Sequence, residues 1–259
     1  MPCSPKVYTF QTLSQQQEHM WSNRRIADEV ELCNRRNLLD IMTKYLPKSG
    51  RIIEAGCGLC AWLIKLRDLG YEIEGLDFDP DVVARVREYD PVLTVSEQDV
   101  TATKYGPETF DAYISLGVVE HFEEGPQQAL QEAHRIMKTD GILVLTVPYN
   151  NFMRRLLYNN LRVVFTALLK LRKRRLHFAE YRYNRKEIEN YITMARFRII
   201  ETGFDDFISP KESMGLWTDW PFLRSPGQFV LNRIGRMLSA CLPKGLHSSG
   251  IYVVARKTR

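Results

Sequence analysis

The stretch RIIEAGCGLCA, residues 51–61, contains the glycine turn around which the rest of the chain is organised. Two aliphatic residues, Ile52 and Ile53, lead into Gly56 and Gly58, and an apolar helical pattern follows. Glycine lets the backbone turn sharply and approach a ligand that a Cβ would obstruct. Such a turn at a helix N-terminus suits a nucleotide-like ligand, but it also occurs as an ordinary strand-to-helix connection. The sequence downstream decides between these interpretations.

Strand-like and helix-like segments alternate beyond this turn. Alternation over about a hundred residues predicts a parallel sheet with helices on both faces. The predicted strands after the first are 72–77, 92–95, 110–116, 142–147, 198–200 and 251–255, and the predicted helices are 26–46, 80–88, 126–137, 151–175, 185–194 and 229–242.

Length and composition indicate one α/β domain with appendages, since the chain has 259 residues of which 44% are hydrophobic. We predict an N-terminal arm and helix at 1–47 and one domain at 48–259, with insertions at 151–184 and 203–249. No segment resembles a signal peptide, and no apolar run approaches the roughly 20 residues that span a bilayer. We therefore expect a cytoplasmic protein.

Five scattered cysteines fit a reducing compartment better than a disulfide framework. Cys57 and Cys60 form a CxxC pair, a spacing found in redox and zinc sites. A zinc site needs further ligands, and Cys3, Cys33 and Cys241 form no second pair. We predict no metal site.

Positive charge is concentrated in one segment. Residues 151–186 contain eleven Lys or Arg and a single acid, Glu180, so the remaining chain is net negative. An apolar helical stripe beside a basic cluster suits anionic lipid headgroups, which makes a peripheral membrane surface a candidate partner. A lid helix with a solvated basic end is the first interpretation of this segment, and the interfacial helix is the second. Nucleic acid is disfavoured because few aromatic residues accompany the cluster. The cluster consists of Arg172, Lys173, Arg174 and Arg175.

Acidic residues follow three of the predicted strands, at the sheet edge where ligands of open α/β sheets bind. Glu54 precedes the glycine turn. Asp77 ends the next strand, 21 residues after Gly56, where a carboxylate can bind both hydroxyls of a ribose. Asp99 follows the third strand and can accept a hydrogen bond from an exocyclic amine.

Four segments resemble, in order and spacing, the motifs of class I S-adenosylmethionine-dependent methyltransferases. They are EAGCG at 54–58, GLDFDP at 75–80, EQDV at 97–100 and FDAYISLGVVEHF at 110–122. The resemblance covers roughly residues 48–148. It implies a Rossmann-like, mostly parallel sheet of seven strands whose last strand is antiparallel, and S-adenosyl-L-methionine as the cofactor.

The resemblance also implies roles for single residues. The glycine turn would bracket the methionine part of the cofactor, Asp77 would bind the ribose and Phe78 would lie against the adenine. Asp99 and the Val100 backbone amide would bind the edge of the adenine. The sequence departs from the family pattern at Cys60, where a third glycine is frequent. The implied cofactor residues are Glu54, Ala55, Gly56, Cys57, Gly58, Asp77, Phe78, Asp99, Val100 and Leu116.

The predicted activity is methyl transfer by in-line displacement, to an oxygen of a small-molecule, glycan or lipid-like acceptor. His121, just past the fourth strand, is the candidate general base, and a structural role is its alternative. Two other functions remain open. The pattern from Gly56 to Ala61 also satisfies a dinucleotide fingerprint, which would fit an NAD-dependent enzyme. A degenerate methyltransferase fold could instead bind a lipid or a partner.

Overall fold

The computed structural model describes residues 5–9, 21, 23–159, 176–209, 211–219, 221–224 and 229–259. Within these ranges the strands are β1 (Lys6–Thr9), β2 (Ile52–Ala55), β3 (Ile73–Asp77), β4 (Val95–Glu97), β5 (Phe110–Leu116), β6 (Met137–Pro148), β7 (His177–Tyr181), β8 (Phe197–Asp205) and β9 (Gly250–Lys257). The α-helices are α1 (Ile26–Cys33), α2 (Leu38–Tyr45), α3 (Ala61–Asp68), α4 (Pro80–Tyr89), α5 (Gln127–Ile136), α6 (Arg185–Met194), α7 (Met214–Asp219), α8 (Phe229–Cys241) and α9 (Lys244–His247). Short 3₁₀ turns occupy Val119–His121 and Pro221–Arg224, and Arg154–Tyr158 is π-helical.

Seven strands form one sheet in the order β4-β3-β2-β5-β6-β9-β8. Neighbouring strands from β4 to β6 are parallel, whereas β9 runs antiparallel to both β6 and β8. The predicted sheet with an antiparallel last strand is therefore confirmed. The strand order reverses between β2 and β5, and ligands of such sheets bind at this reversal.

Apolar side chains cover both faces of the sheet, as expected for parallel strands between two helical layers. Successive strand residues point to opposite faces. Ile52 accordingly packs with Met42 and Leu66 on one side, and Ile53 with Leu130 on the other. The helices before residue 47 thus share a core with the sheet.

The single helix predicted over 26–46 is wrong, because the chain forms two helices, α1 and α2. The break is tied to the end of β8. Arg36 forms an isolated β-bridge with Phe207. The Asn37 side chain donates to the Phe204 carbonyl (2.7 Å) and accepts from the Asp206 N–H (3.0 Å). Tertiary hydrogen bonds replace the continuing helix at this point.

Part of the predicted loose N-terminal arm is a strand. β1 pairs antiparallel with β7 in a separate two-stranded sheet. Next to this pair, the backbone N–H of Arg182, which follows β7, donates to the carbonyl of Pro5, which precedes β1 (3.3 Å). This pairing joins segments far apart in sequence, so no local pattern predicts it.

The helix predicted over 151–175 is described only as far as residue 159, where the chain forms a π-helical turn. The basic cluster at 172–175 lies outside the described residues. Within the described part of the chain, every helix falls short of the length and apolar character needed to cross a membrane.

Candidate active site

The turn between β2 and α3 is built from residues in the left-handed conformation: Gly56 (φ +75°), Gly58 (φ +50°) and Cys60 (φ +57°). A Cβ at Gly56 would lie 2.5 Å from the Val118 side chain, and one at Gly58 would lie 2.6 Å from the Trp21 ring. Both steric space and backbone conformation therefore require glycine at these two positions.

Asp77 fastens this turn to the end of β3. Its carboxylate accepts hydrogen bonds from the backbone N–H of Gly58 (2.8 Å) and of Asp79 (3.1 Å). Burial raises the pKa of Asp77, and these two amides oppose that effect. The Gln98 N–H donates to the Asp77 carbonyl (2.9 Å), which places Asp99 at the neighbouring strand end. The three acids thus lie at the carboxyl ends of three adjacent strands, with Glu54 inside β2, Asp77 as the last residue of β3 and Asp99 just after β4.

Glu54 is the buried acid of the turn, with 3% of its surface exposed. Its Oε2 has no hydrogen-bond partner among the described residues. Burial raises its pKa to about 8, the Leu63 backbone amide opposes this, and the charge of Asp77 adds to it. An unpaired buried carboxyl of this kind is stabilised by a positively charged partner.

A cavity of about 320 Å³ opens along the turn, and we call it the turn cavity. Of the predicted cofactor residues, five line it: Glu54, Gly56, Cys57, Gly58 and Leu116. The N-terminal segment contributes Trp21, Arg24, Cys33 and Arg36, with Phe207 and Met214 from after β8. No sequence pattern marks these additional residues, because their positions depend on how the N-terminal segment folds over the sheet.

The other predicted residues lie along the ends of β2, β3 and β4. Ala55 is fully buried at the end of β2, and Val100 packs in the core. Phe78 is 49% exposed, so its ring is available to a ligand. Asp99 is also exposed, and its Oδ1 accepts from both the N–H and the hydroxyl of Thr101 (2.7 Å each).

A second cavity of about 320 Å³, the arginine cavity, lies at the carboxyl ends of β5 and β6. Its charged lining comes from segments far apart in the chain. Arg36, Leu116 and Gly117 line both cavities, so the two share a wall. The charged residues of the arginine cavity are Arg36, Glu120, Arg154, Glu180, Arg182 and Asp205.

Glu120 and His121 occupy different positions at this wall. Glu120 is 2% exposed, lines the arginine cavity, and has an Oε2 without a partner among the described residues. Burial raises its pKa to about 7, and the charge of His121 opposes this. His121 is absent from the lining of both cavities, and its Nδ1 donates to the Ala179 carbonyl (2.7 Å). The catalytic role predicted for His121 stays a prediction.

Cys57 and Cys60 lie inside the turn with their sulfur atoms 3.2 Å apart. Both are buried. The hydrogen bond with Cys60, followed by burial, raises the pKa of the Cys57 thiol well above its ordinary value. The Cys57 thiol therefore stays protonated at neutral pH and packs beneath Gly75.

A family model described as "Methyltransferase domain" matches residues 53–145, which contain the glycine turn, Asp77, Asp99 and Glu120. This match supports a class I S-adenosylmethionine-dependent methyltransferase domain over these residues. The family match disfavours the NAD-dependent alternative, since it continues beyond the glycine turn through β5 and into β6.

Two curated relatives match parts of the chain. A chloroplastic 2-methyl-6-phytyl-1,4-hydroquinone methyltransferase 2 of Oryza sativa subsp. japonica is 29% identical over 75 residues, or 28% of this chain and 21% of the relative. A protein of Mycolicibacterium smegmatis named "Probable S-adenosylmethionine-dependent methyltransferase" is 25% identical over 97 residues, or 38% of this chain and 37% of that one. The chain therefore spans less than two fifths of the length of either relative.

The fold is shared over a greater length. A S-adenosylmethionine-dependent methyltransferase structure from Archaeoglobus fulgidus superposes with a TM-score of 0.58, covering 95% of this chain and 100% of that chain at 14% identity. Identity at this level shows a common fold only.

The turn fits the family's cofactor, S-adenosyl-L-methionine, on two observations. The cofactor carries an ammonium and a sulfonium, and the buried Oε2 of Glu54 has no hydrogen-bond partner within the described ranges. Gly56 and Gly58 keep Cβ atoms out of the turn along which the turn cavity opens. Glu54, Gly56 and Gly58 would hold its methionine part, and Asp77 its ribose.

Proposed function

We propose that this chain transfers a methyl group from S-adenosyl-L-methionine to an acceptor in the arginine cavity. The observation that carries the proposal is the shared wall, because Arg36, Leu116 and Gly117 line both cavities. Methyl transfer needs the acceptor atom close to the methyl carbon and in line with the bond that breaks. Positioning of this kind contributes about 7–11 kcal/mol in favourable cases.

The bound cofactor supplies an electrophilic methyl group on a sulfonium. The chain's own part is to bind, to orient and to take up a proton. Glu54 and the glycine turn would orient the methionine part, and Asp77 the ribose. Phe78, Asp99 and the Val100 amide would contact the adenine. We propose an acceptor oxygen, since a buried carboxyl at the shared wall can accept the proton that a hydroxyl loses.

Glu120 lies where such a proton would be released. Its Oε1 is 3.4 Å from the position that a Cβ on Gly117 would take, which places the carboxyl at the shared wall. A pKa of about 7 is close to the value at which a general base works best near neutral pH. We therefore propose Glu120 as the general base and retain His121 as the alternative.

Glu120→Gln is expected to lower kcat by about 10²–10⁴-fold with a hydroxyl acceptor, because it removes the group that accepts the proton. His121→Asn preserves a donor to the Ala179 carbonyl and is expected to retain most activity. Transfer of a tritiated methyl group to small-molecule, glycan and lipid-like acceptors provides the measurement. Calorimetry with S-adenosylhomocysteine checks that both variants keep the cofactor site.

Loss of activity in His121→Asn alone would instead support His121 as the base. Unchanged kcat in Glu120→Gln would refute its role. Tight binding of S-adenosylhomocysteine without transfer to any acceptor would favour the degenerate, binding-only module.

Cofactor affinity is expected to rise with pH between about 5 and 8. Glu54 has a pKa of about 8 in the free protein, and a nearby positive charge lowers the pKa of a carboxyl. Binding therefore releases a proton below pH 8, and affinity gains at most about tenfold per pH unit. Above pH 8 Glu54 is already ionised and the affinity levels off. Calorimetry in buffers of different ionisation enthalpy measures the released proton.

Glu54→Gln is the control for this linkage, since its side chain cannot titrate. It is expected to bind S-adenosylhomocysteine with an affinity that does not change over the same pH window. An affinity of the wild type that is flat or falls with pH would contradict the assignment.

We also propose an anionic membrane surface as a partner, with α8 as its docking element. Phe229, Val230 and Met237 are 75%, 67% and 59% exposed on this helix. Arg233 and Arg236 are exposed as well, and α8 contains no acid. An exposed helix surface that combines apolar side chains with arginines is complementary to anionic headgroups. The basic cluster at 172–175 carries four further positive charges.

The protein is expected to sediment with phosphatidylserine-containing vesicles and not with phosphatidylcholine vesicles. Reversing the charges of Arg233 and Arg236, or of the cluster at 172–175, is expected to reduce binding, by about 1 kcal/mol per charge removed. Reversing the exposed pair Arg185 and Arg198 is the control. Equal binding to both vesicle types, insensitive to these changes, would remove the membrane proposal.

A further inference from the structure

Arg182 is a buried cation whose hydrogen bonds are incomplete. Its side chain is 9% exposed and the residue lines the arginine cavity. Its Nε donates to the Glu180 carboxylate (3.1 Å), whereas its Nη1 has no partner among the described residues. Buried donors are normally paired, and charged ones especially so. Because Arg182 lines the cavity, its unpaired guanidinium N–H is a candidate donor to a ligand acceptor.

The guanidinium of Arg182 is also held in place without that ligand. Glu180 binds its Nε, and the Tyr158 ring lies 5.0 Å from it. The Arg182 backbone N–H donates to the Pro5 carbonyl, which ties the residue to the segment before β1. A donor that is already oriented loses little conformational freedom when it binds.

The other two arginines of the cavity differ in whether they have an unpaired N–H donor. Every guanidinium nitrogen of Arg154 has a partner, since Arg154 donates to both oxygens of Asp219 and to the carbonyls of Tyr149 and Ser249. Arg36 donates through Nη2 to Asp205, and its Nε has no partner in the described part of the chain. Two unpaired guanidinium N–H groups therefore belong to side chains that line one cavity.

The arginine and carboxylate charges of the cavity nearly balance before a ligand binds. Each arginine already has one carboxylate partner: Asp205 for Arg36, Asp219 for Arg154 and Glu180 for Arg182. Glu120, the remaining acid, is protonated for part of the time near neutral pH because burial raises its pKa. A guanidinium has five N–H donors, so Arg182 can bind an incoming anion and keep Glu180.

We infer that the methyl acceptor carries an anionic group, a carboxylate or a phosphate, which binds the unpaired N–H of Arg182 in the arginine cavity. This inference rests on the proposed function for the statement that the ligand is the acceptor. The binding of the anion itself can be tested without it.

The probes are inorganic phosphate and benzoate, titrated at constant ionic strength into the full chain with and without S-adenosylhomocysteine. The wild type is expected to bind at least one of them. Arg182→Met is expected to weaken that binding by about tenfold or more, because a charge-assisted hydrogen bond is lost. Arg185→Met is the matched control: it removes the same charge nearby, from an arginine that is 59% exposed and paired with Glu189.

Arg182→Lys covers the case in which Arg182→Met fails to fold. Lysine keeps the charge but cannot donate to Glu180 and to the anion in the geometry of a guanidinium, so we expect binding weaker by about threefold to tenfold. The inference is overturned if neither probe binds the wild type, or if the folded Arg182 variants bind as the wild type does. It is equally overturned if Arg185→Met weakens binding as much as the Arg182 variants.

The two proposals fail separately. A wild type that binds the anion through Arg182 but does not bind S-adenosylhomocysteine would refute the methyltransferase function and leave the anion site intact. A wild type that binds S-adenosylhomocysteine and neither anion would refute the anionic acceptor and leave the methyltransferase function intact.

Discussion

Replacing Asp77 with alanine is expected to weaken S-adenosylhomocysteine binding by about 100- to 1,000-fold, from the loss of two hydrogen bonds to a charged acceptor. Asp77 lies at the strand end where a carboxylate can bind both ribose hydroxyls. Its carboxylate also accepts from the N–H groups of Gly58 and Asp79, so it orients the glycine turn itself. Isothermal titration calorimetry measures the change.

Two variants separate ligand binding from folding. Asp77→Asn keeps an oxygen that can accept from the Gly58 N–H, and we expect its affinity to fall by about tenfold, as one charge-assisted bond is weakened. Asp68→Ala removes an exposed carboxylate at the end of α3 and is expected to bind as the wild type does. Asp77→Ala that binds S-adenosylhomocysteine with unchanged affinity would refute the ribose assignment.

Removing the Arg154 guanidinium is expected to lower the free energy of unfolding by about 3–5 kcal/mol, because the buried carboxylate of Asp219 then loses this countercharge. The Arg154 and Asp219 side chains are 3% and 6% exposed and form two hydrogen bonds of 2.7 and 2.9 Å. The pair joins the segment after β6 to α7, at one wall of the arginine cavity. Urea denaturation of Arg154→Met measures the loss.

A double variant and an exposed pair are the controls. Arg154→Met with Asp219→Leu removes both charges and is expected to recover much of the lost stability, since no buried charge is left unpaired. Arg185→Met breaks the exposed pair with Glu189 and is expected to cost about 0–1 kcal/mol. If Arg154→Met and Arg185→Met lower the free energy of unfolding equally, the buried pair contributes no more to stability than the exposed pair does.

Local sequence patterns predict those residues of the site that lie at the ends of strands. The strand at 110–116 and the helix at 185–194 have the predicted bounds, because each is a short element with strong apolar periodicity. The glycine turn, Asp77 and Asp99 lie at three adjacent strand ends for the same reason. Parallel strands place their carboxyl ends at one edge, so residues distant in sequence come together there.

The predicted first and last residues of an element are wrong where tertiary contacts override the local secondary-structure propensity. The predicted strand at 92–95 begins only at Val95, and the one at 198–200 extends to Asp205 because β9 pairs along its whole length. The helix over 26–46 divides because Asn37 bonds to the end of β8. Propensity and periodicity contain no information about partners that lie so far away in the chain.

The sequence by itself determined the sheet, the glycine turn and the acids that follow three of its strands, since hydrophobic periodicity and turn chemistry are local properties. Only the tertiary structure decided what surrounds them. Trp21 lies against Gly58, and Arg36, Arg154 and Arg182 meet in one cavity, although no motif connects them. The physical reason is that a charge can be buried only beside a partner, and the chain's three-dimensional path determines which partners it meets.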